Sequence, residues 1–267
     1  LKIIRTIFCI TILVCSIIKT NAQISPPGEG IAHTANWFAI GVRQKLDTLE
    51  GIGWQSMTYA GMGRKSNPDN FNPFHKSAIL VLNQEFYHML PKHWQYSFAL
   101  SYRRQDEYQV NEPFEHKTPS IKQEFRGYGR LSYVMTGKLL KFIPTLRQEY
   151  RKFYDPSFGA INETYQFRTR FRSQLSINLT RNKTQKLILG SEQLFSTSKK
   201  QTADHLSKFT YQESRFTCYY SLAPSHWVGT INIGYMNNWV VNGESFDAHY
   251  LAVDFIFENP MRLRKKS

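Results

Sequence analysis

The stretch Tyr165-Gln-Phe-Arg-Thr-Arg-Phe-Arg-Ser-Gln-Leu-Ser-Ile-Asn-Leu179 decides the fold. Its odd positions carry Tyr165, Phe167, Phe171, Leu175, Ile177 and Leu179, interrupted by Thr169 and Ser173. Its even positions carry Gln166, Arg168, Arg170, Arg172, Gln174, Ser176 and Asn178. Successive side chains of a strand point to opposite faces, so this segment has one apolar face and one heavily basic face. About fifteen residues at roughly 3.3 Å each are long enough to follow a tilted path across a bilayer.

Working outward, segments of the same kind, separated by turn-forming residues, are expected at Ala35–Leu46, Trp54–Gly63, Ala78–Leu90, Trp94–Tyr108, Ile121–Met135, Leu139–Phe153, Lys186–Phe195, Phe209–Leu222, Trp227–Val241 and His249–Phe257. With Tyr165–Leu179 they make eleven candidate strands. Their connections alternate in length. Pro91-Lys-His93, Thr136-Gly-Lys138, Arg181–Thr184 and Ala223-Pro-Ser225 are tight, whereas Arg64–Lys76, Gln109–Ser120, Tyr154–Glu163, Ser196–Ser207 and Asn242–Asp247 are longer. Outer-membrane barrels show this alternation, with short periplasmic turns and long external loops. A soluble sandwich, with strands of about five or six residues, has no reason to keep it.

The count of eleven conflicts with the even strand number of bacterial single-chain barrels. A first strand at Ala35 would also begin on the outer side, although the mature N-terminus belongs in the periplasm. Either a twelfth strand lies before it, or the first candidate stands outside a ten-stranded wall. The expected fold is therefore all-β: a single antiparallel transmembrane β-barrel of ten to twelve strands with a polar, Arg/Glu-lined interior. So few strands leave an interior filled mostly by side chains rather than a wide pore.

Lys2 and Arg5 precede an apolar run from Ile7 to Ile18, and Asn21-Ala-Gln23 supplies a cleavage site after Ala22. Residues 1–22 thus read as a secretory signal peptide. The apolar run is about a dozen residues, short for a membrane-spanning helix. Val14 argues against a lipoprotein site at Cys15. Cleavage leaves about 245 residues, one large domain. It also removes Cys9 and Cys15, so Cys218 has no disulfide partner and no Cys-based metal site is available. Residues 23–34 read as a flexible lead-in, 35–257 as the barrel and 258–267 as a basic tail. A net charge of +14 raises nucleic acid as a partner, but an exported chain has little access to it. Anionic lipid or an anionic solute suits the charge better, and no nucleic-acid partner is expected.

Trp94, Tyr96, Phe98 and Tyr102 share a face with Leu100, and Trp227, Tyr235 and Trp239 share one with Ile231 and Ile233. Trp and Tyr near strand ends suit the aromatic girdles of a membrane barrel. The last candidate closes on Phe257, an aromatic ending of the kind the barrel assembly machinery receives. Family-like residues then occur in order. Trp37 opens the first strand; Leu146-Arg-Gln-Glu-Tyr-Arg151 precedes Phe167-Arg-Thr-Arg-Phe-Arg172; Ser191-Glu-Gln-Leu-Phe195, Glu213-Ser-Arg215 and Gly234-Tyr-Met236 follow. Over about Trp37 to Phe257 the chain resembles the outer-membrane barrel family catalogued as domain of unknown function family 2490, common in Bacteroidota. The resemblance implies an outer-membrane barrel of a Gram-negative envelope with no assigned activity. The chain departs from it in running past the final strand, from Glu258 to Ser267.

Alternation directs one set of charged side chains inward: Arg103, Glu124, Arg126, Arg130, Arg147, Glu149, Arg151, Arg168, Arg170, Arg172, Glu192, Glu213, Arg215 and Asp254. Arg beside Glu forms bidentate, charge-assisted hydrogen bonds, and such a network would fill a narrow lumen and tie strands together. Because Arg outnumbers acid, a basic lining for an anion is the alternative. Acyl chemistry needs a His to deprotonate a Ser and a third group to orient the His. The nearest approach is Ser245, Asp247 and His249 at a loop end, so a lipid hydrolase or acyltransferase is the lesser reading. Asp69 with Asn67, Asn70 and Asn72 has the composition of an external loop, and no metal or phosphate-binding motif is present. No cofactor or metal is expected. The functional expectation is a non-enzymatic outer-membrane barrel of structural, binding or narrow-transport type, or a barrel subunit of a larger envelope complex. Its expected partners are outer-membrane lipid, the barrel assembly machinery, and an anionic solute or an envelope protein.

Overall fold

The computed structural model describes residues 24–46, 53–225, 227–241 and 245–261. The expected signal segment, His226 and the basic end of the tail lie outside the described residues. One sheet contains β1 (Thr34–Lys45), β2 (Trp54–Lys65), β3 (Lys76–Met89), β4 (Trp94–Tyr108), β5 (His116–Tyr133), β6 (Met135–Thr136), β7 (Leu140–Tyr154), β8 (Ala160–Asn178), β9 (Gln185–Lys200), β10 (Thr210–Leu222), β11 (Gly229–Val240) and β12 (Phe246–Glu258). Strand β6 is a two-residue continuation of β5 past Val134, and β5 itself pairs with β7. Eleven strands therefore form the wall, at the positions where alternation places them.

The ring closes where β1 meets β12 in parallel, with Trp37 opposite Ala252 and Ala39 opposite Asp254. The other neighbouring pairs are antiparallel. The eleven strands fall within the expected ten to twelve and match the eleven candidates; what the closure corrects is the expectation that every pair is antiparallel. When eleven strands alternate in direction, the first and last must run the same way, so closure is parallel. We call the rim where β1 begins upper and the rim where β12 ends lower.

Upper connections span 66–75, 109–115, 155–159, 201–209 and 241–245. They are shorter than the sequence suggests because the strands extend past the point where apolar alternation lapses. Backbone pairing continues to Tyr108 with His116, Tyr154 with Ala160, and Glu163 with Lys200. The contrast between the rims thus lies largely in rising hairpins rather than in free loops.

Strand parity sorts the side chains. Phe38, Ile40, Leu80, Leu82, Phe98, Leu100, Phe171, Ile233 and Leu251 stand exposed on the outer face, around the whole wall. Aromatic clusters mark its ends. Trp54, His88 and Tyr96 meet near the lower rim, and Tyr150, Tyr165 and Phe167 meet toward the upper one.

The interior differs from expectation in being divided. Its β12, β1, β2 and β3 side carries Trp37, Ala39, Met57, Val81, Ala252 and Ile256 in one apolar cluster. Most of the buried Arg and Glu lie on the β4 to β10 side, although Ile188 of β9 and Tyr219 of β10 join the apolar cluster and Glu85 stands on β3. Residues 24–33, expected as a flexible lead-in, run inside the lumen between the two halves. Ile24 joins the apolar cluster, while the Pro26 carbonyl accepts from Arg215 Nη1 at 3.3 Å and the Gly28 carbonyl from Arg103 Nη2 at 3.1 Å. Arg103 on β4 and Arg215 on β10 stand on different sides of the ring, and a segment held by both lies inside it. The Tyr250 hydroxyl accepts the Glu29 N–H at 3.0 Å, and Lys65 Nζ donates to the Glu29 carbonyl at 2.7 Å. Without repeating backbone pairs of its own, the segment pairs the Pro26, Gly28 and Glu29 carbonyls and the Glu29 N–H with luminal side chains. It delivers the chain from the interior to the upper rim, where β1 starts, which accounts for the strand direction that counting alone left unexplained.

Candidate functional site

The fourteen inward candidates arise from parity, and cross-strand register decides how they meet. Arg103 lies opposite Glu124, Glu149 opposite Arg168, and Arg172 opposite Glu192. Register also sets like charges face to face: Arg126 opposite Arg151, and Arg147 opposite both Arg130 and Arg170. Such pairs repel unless an anion stands between them. Glutamates two positions along the strand supply it. Glu124 Oε1 accepts from Arg126 Nε and from Arg151 Nε, each at 2.8 Å. Glu149 Oε1 stands 2.6 Å from Arg147 Nε and 2.9 Å from Arg170 Nε.

These contacts join into one chain of ion pairs. From Arg103 and Arg151 it passes through Glu124 to Arg126, then through Glu149 to Arg170. It continues to Glu192 at 2.9 Å, then Arg215 at 3.9 Å, and ends on Glu213, 2.5 Å from Arg215 Nη2. Six wall strands, β4, β5, β7, β8, β9 and β10, are laced together. The side chain of Glu149 is fully buried, so three arginines depend on a carboxylate that water does not reach. A buried pair of this kind adds little net stability when complete, yet is costly to break because the remaining charge has no compensation.

Arg130 belongs to a branch. It lies 3.2 Å from Glu85, whose carboxylate also accepts from Ser97 at 2.6 Å and Tyr128 at 2.9 Å. The Arg147 guanidinium lies over the Tyr128 ring, 3.6 Å from its centroid. Arg168 is inward and its Nε is buried. Asp254 is inward too, but stands apart from the network on the apolar side, fully buried.

Sequence reasoning missed Glu85, Glu29, Lys65 and the rim pair of Arg43 with Glu258 at 2.8 Å. Glu85 shares parity with Val81 and Asn83, so continuing the alternation of β3 would have found it. Glu29 sits in an irregular segment that carries no periodic signal.

Ser245, Asp247 and His249 do not assemble as a catalytic set. The Ser245 hydroxyl donates to the Val240 carbonyl at 3.2 Å, and His249 Nδ1 pairs with the Tyr235 hydroxyl at 2.6 Å. His249 Nε2 lies 4.0 Å from Asp247 on an exposed outer surface. In the upper loop Asp69, Asn70 and Asn72 bond to one another and to local backbone. Among the described residues no cluster of His, Cys, Asp and Glu is arranged to hold a metal ion. Cys218 is exposed on the outer face. No protein-family model matches the chain, and no curated protein matches it.

Proposed function

We propose that the protein is a non-enzymatic β-barrel of a Gram-negative outer membrane, exported by residues 1–22, with a structural, binding or narrow-transport role. The observation that carries this reading is the inverted distribution of side chains. Large apolar residues such as Leu100, Phe98, Phe171 and Ile233 cover the outside, while Arg and Glu are buried inside. A continuous apolar belt around a closed wall far exceeds the patches that soluble monomers expose. It matches a wall whose solvent is hydrocarbon, closed so that no backbone edge is left unpaired. Aromatic clusters near both rims support the same reading, as does the resemblance to family 2490. The lumen is occupied by the lead-in and the ion-pair network, which favours binding or narrow passage over general diffusion. Lipid and the assembly machinery are the partners this implies, with an anionic solute or an envelope protein as the further one. The Ser245 hydroxyl, turned to a backbone carbonyl rather than to His249, supports a role without acyl chemistry.

The test is cell fractionation of the precursor expressed in a Gram-negative host. Recovery in the outer-membrane fraction, resistant to carbonate extraction and with heat-modifiable mobility on gels, is expected. Recovery as soluble protein would overturn the reading.

A further inference from the structure

The network does not fill the lumen. On its lower side a cavity remains, bounded by Ile24–Pro27 of the lead-in and reaching Gln55, Gln95, Ser132 and Gln174 toward the lower rim. Eight arginines line it against two glutamates, Glu85 and Glu192. Both glutamates pair within the lining, with Arg130 and with Arg170, while Arg43, Arg103, Arg126, Arg147 and Arg215 pair with acids outside it. Toward the rim, Lys141 and Lys186 occupy inward positions on β7 and β9, and Lys141 Nζ is buried with no hydrogen-bond partner. The opposite flank is apolar, formed by Trp37, Met57 and Val81. Cationic donors facing a space with one dry wall interact with a bound charge far more strongly than they would in water.

We propose that this cavity is a binding site for a small oxyanion, a phosphate or carboxylate group, admitted from the lower rim. Guanidinium forks match the geometry of both anions, and eight of them border this one space. Ser132, Thr145 and Gln174 supply neutral donors around the same space. Lys141, one inward position beyond the lining residue Ile143 and with a buried, unpartnered ammonium, takes the anion on the rim side, and Arg172 of the lining takes it from the interior. The proposal rests on reading the barrel as a binding or narrow-transport protein, but it requires nothing about where the barrel resides.

The experiment is calorimetric titration of the full-length protein, folded in detergent micelles, with inorganic phosphate and separately with succinate. Saturable binding of at least one, with a Kd of about 1 mM or below, is expected. Arg172→Gln and Lys141→Gln should each weaken it about tenfold, roughly 1.4 kcal/mol. Lys122→Gln, which removes a cation paired with Glu163 toward the upper rim and sharing no partner with the lining arginines, should leave it within about twofold. Heat-modifiable mobility verifies that each variant is folded, and Lys141→Gln, outside the ion-pair chain, serves if Arg172→Gln does not fold. Binding of phosphate alone assigns a phosphate ligand; binding of succinate alone assigns a carboxylate. Wild-type protein that binds neither anion overturns the site, as does binding that both cavity variants leave unchanged. Because the titration is done in micelles, its failure would leave the fractionation result standing, and the reverse holds too.

Discussion

Glu29 sets its carboxylate where Gly63 has no side chain: a Cβ on Gly63 would stand 2.1 Å from Glu29 Oε1. Strand β2 thus carries a notch for the luminal segment. Gly63→Ala should displace residues 24–33 without unfolding the wall. In a Cys218→Ser background, maleimide labelling of Pro26→Cys should be slow, and adding Gly63→Ala should accelerate it at least about tenfold, in line with a local opening stabilised by a few kcal/mol. Unchanged labelling would mean that the segment is held elsewhere.

Glu149 is the carboxylate on which Arg126, Arg147 and Arg170 converge. Replacing it with Gln leaves three guanidinium groups short of a counter-charge, and we expect a loss of about 3–5 kcal/mol. Glu258→Gln, at the partly exposed pair with Arg43, should cost about 1 kcal/mol or less. Denaturant unfolding of both variants in the same lipid or detergent would rank them, and equal losses would contradict the dependence on burial.

Leu100 on β4 is 73% exposed on the outer face. If that face meets hydrocarbon, Leu100→Arg should destabilise the barrel in lipid vesicles by about 2–4 kcal/mol. Phe71, equally prominent in the upper connection, should accept Arg with an effect of about 0.5 kcal/mol or less. Matching effects at both positions would argue against a lipid-facing belt.

Removal of residues 24–33 should open the lumen. In planar bilayers the full-length protein is expected to conduct little, and the deletion variant to show larger, anion-selective steps. Arg168→Ser, Arg170→Ser and Arg172→Ser together should abolish that selectivity. Equal conductance with and without the segment would show that the network alone closes the passage.

At the upper turn after β7, Asp155 Oδ1 accepts from the Ser157 and Gly159 amides at 2.8 and 2.7 Å and from the Ser157 hydroxyl at 2.8 Å. The Ser157 hydroxyl bond, followed by the Gly159 amide, holds the carboxyl below its usual range. A lowered acid stabilises the turn fully above its ordinary value, and that contribution is lost as pH falls through the lowered one. The Ser157 and Gly159 amide resonances should therefore titrate at a pH below that of a free aspartate, and Asp155→Asn should remove the transition.

The wall was legible because an exposed apolar face and an inward face of buried charge leave period-two alternation in most of the strands. Parity alone brought Arg168, Arg170 and Arg172 to the inside, and register then determined which carboxylate each arginine meets. The apolar half of the lumen was not legible for the same reason. In β3, Ile79 and Val81 face inward while Leu80 and Leu82 face outward, so the strand reads as continuously apolar and its faces cannot be told apart. Those inward residues belong to the same apolar cluster as Ile24, which lies in a segment with no period at all. The parallel closure depends on residues more than two hundred positions apart, such as Trp37 and Ala252, which no local pattern relates.

The seam between β1 and β12 carries the slanted, slightly weaker bonds of a parallel pair, unlike the other seams of the ring. The luminal segment lies along its inner side: Ile24 shares one buried apolar cluster with Trp37 and Ala39 of one strand and Ala252 and Ile256 of the other, and the Glu29 amide is tied to Tyr250. What occupies the bore is therefore also a splint across the joint. Any ligand or partner that draws residues 24–33 away would loosen the wall along one line, giving the barrel a lateral hinge as well as an axial opening.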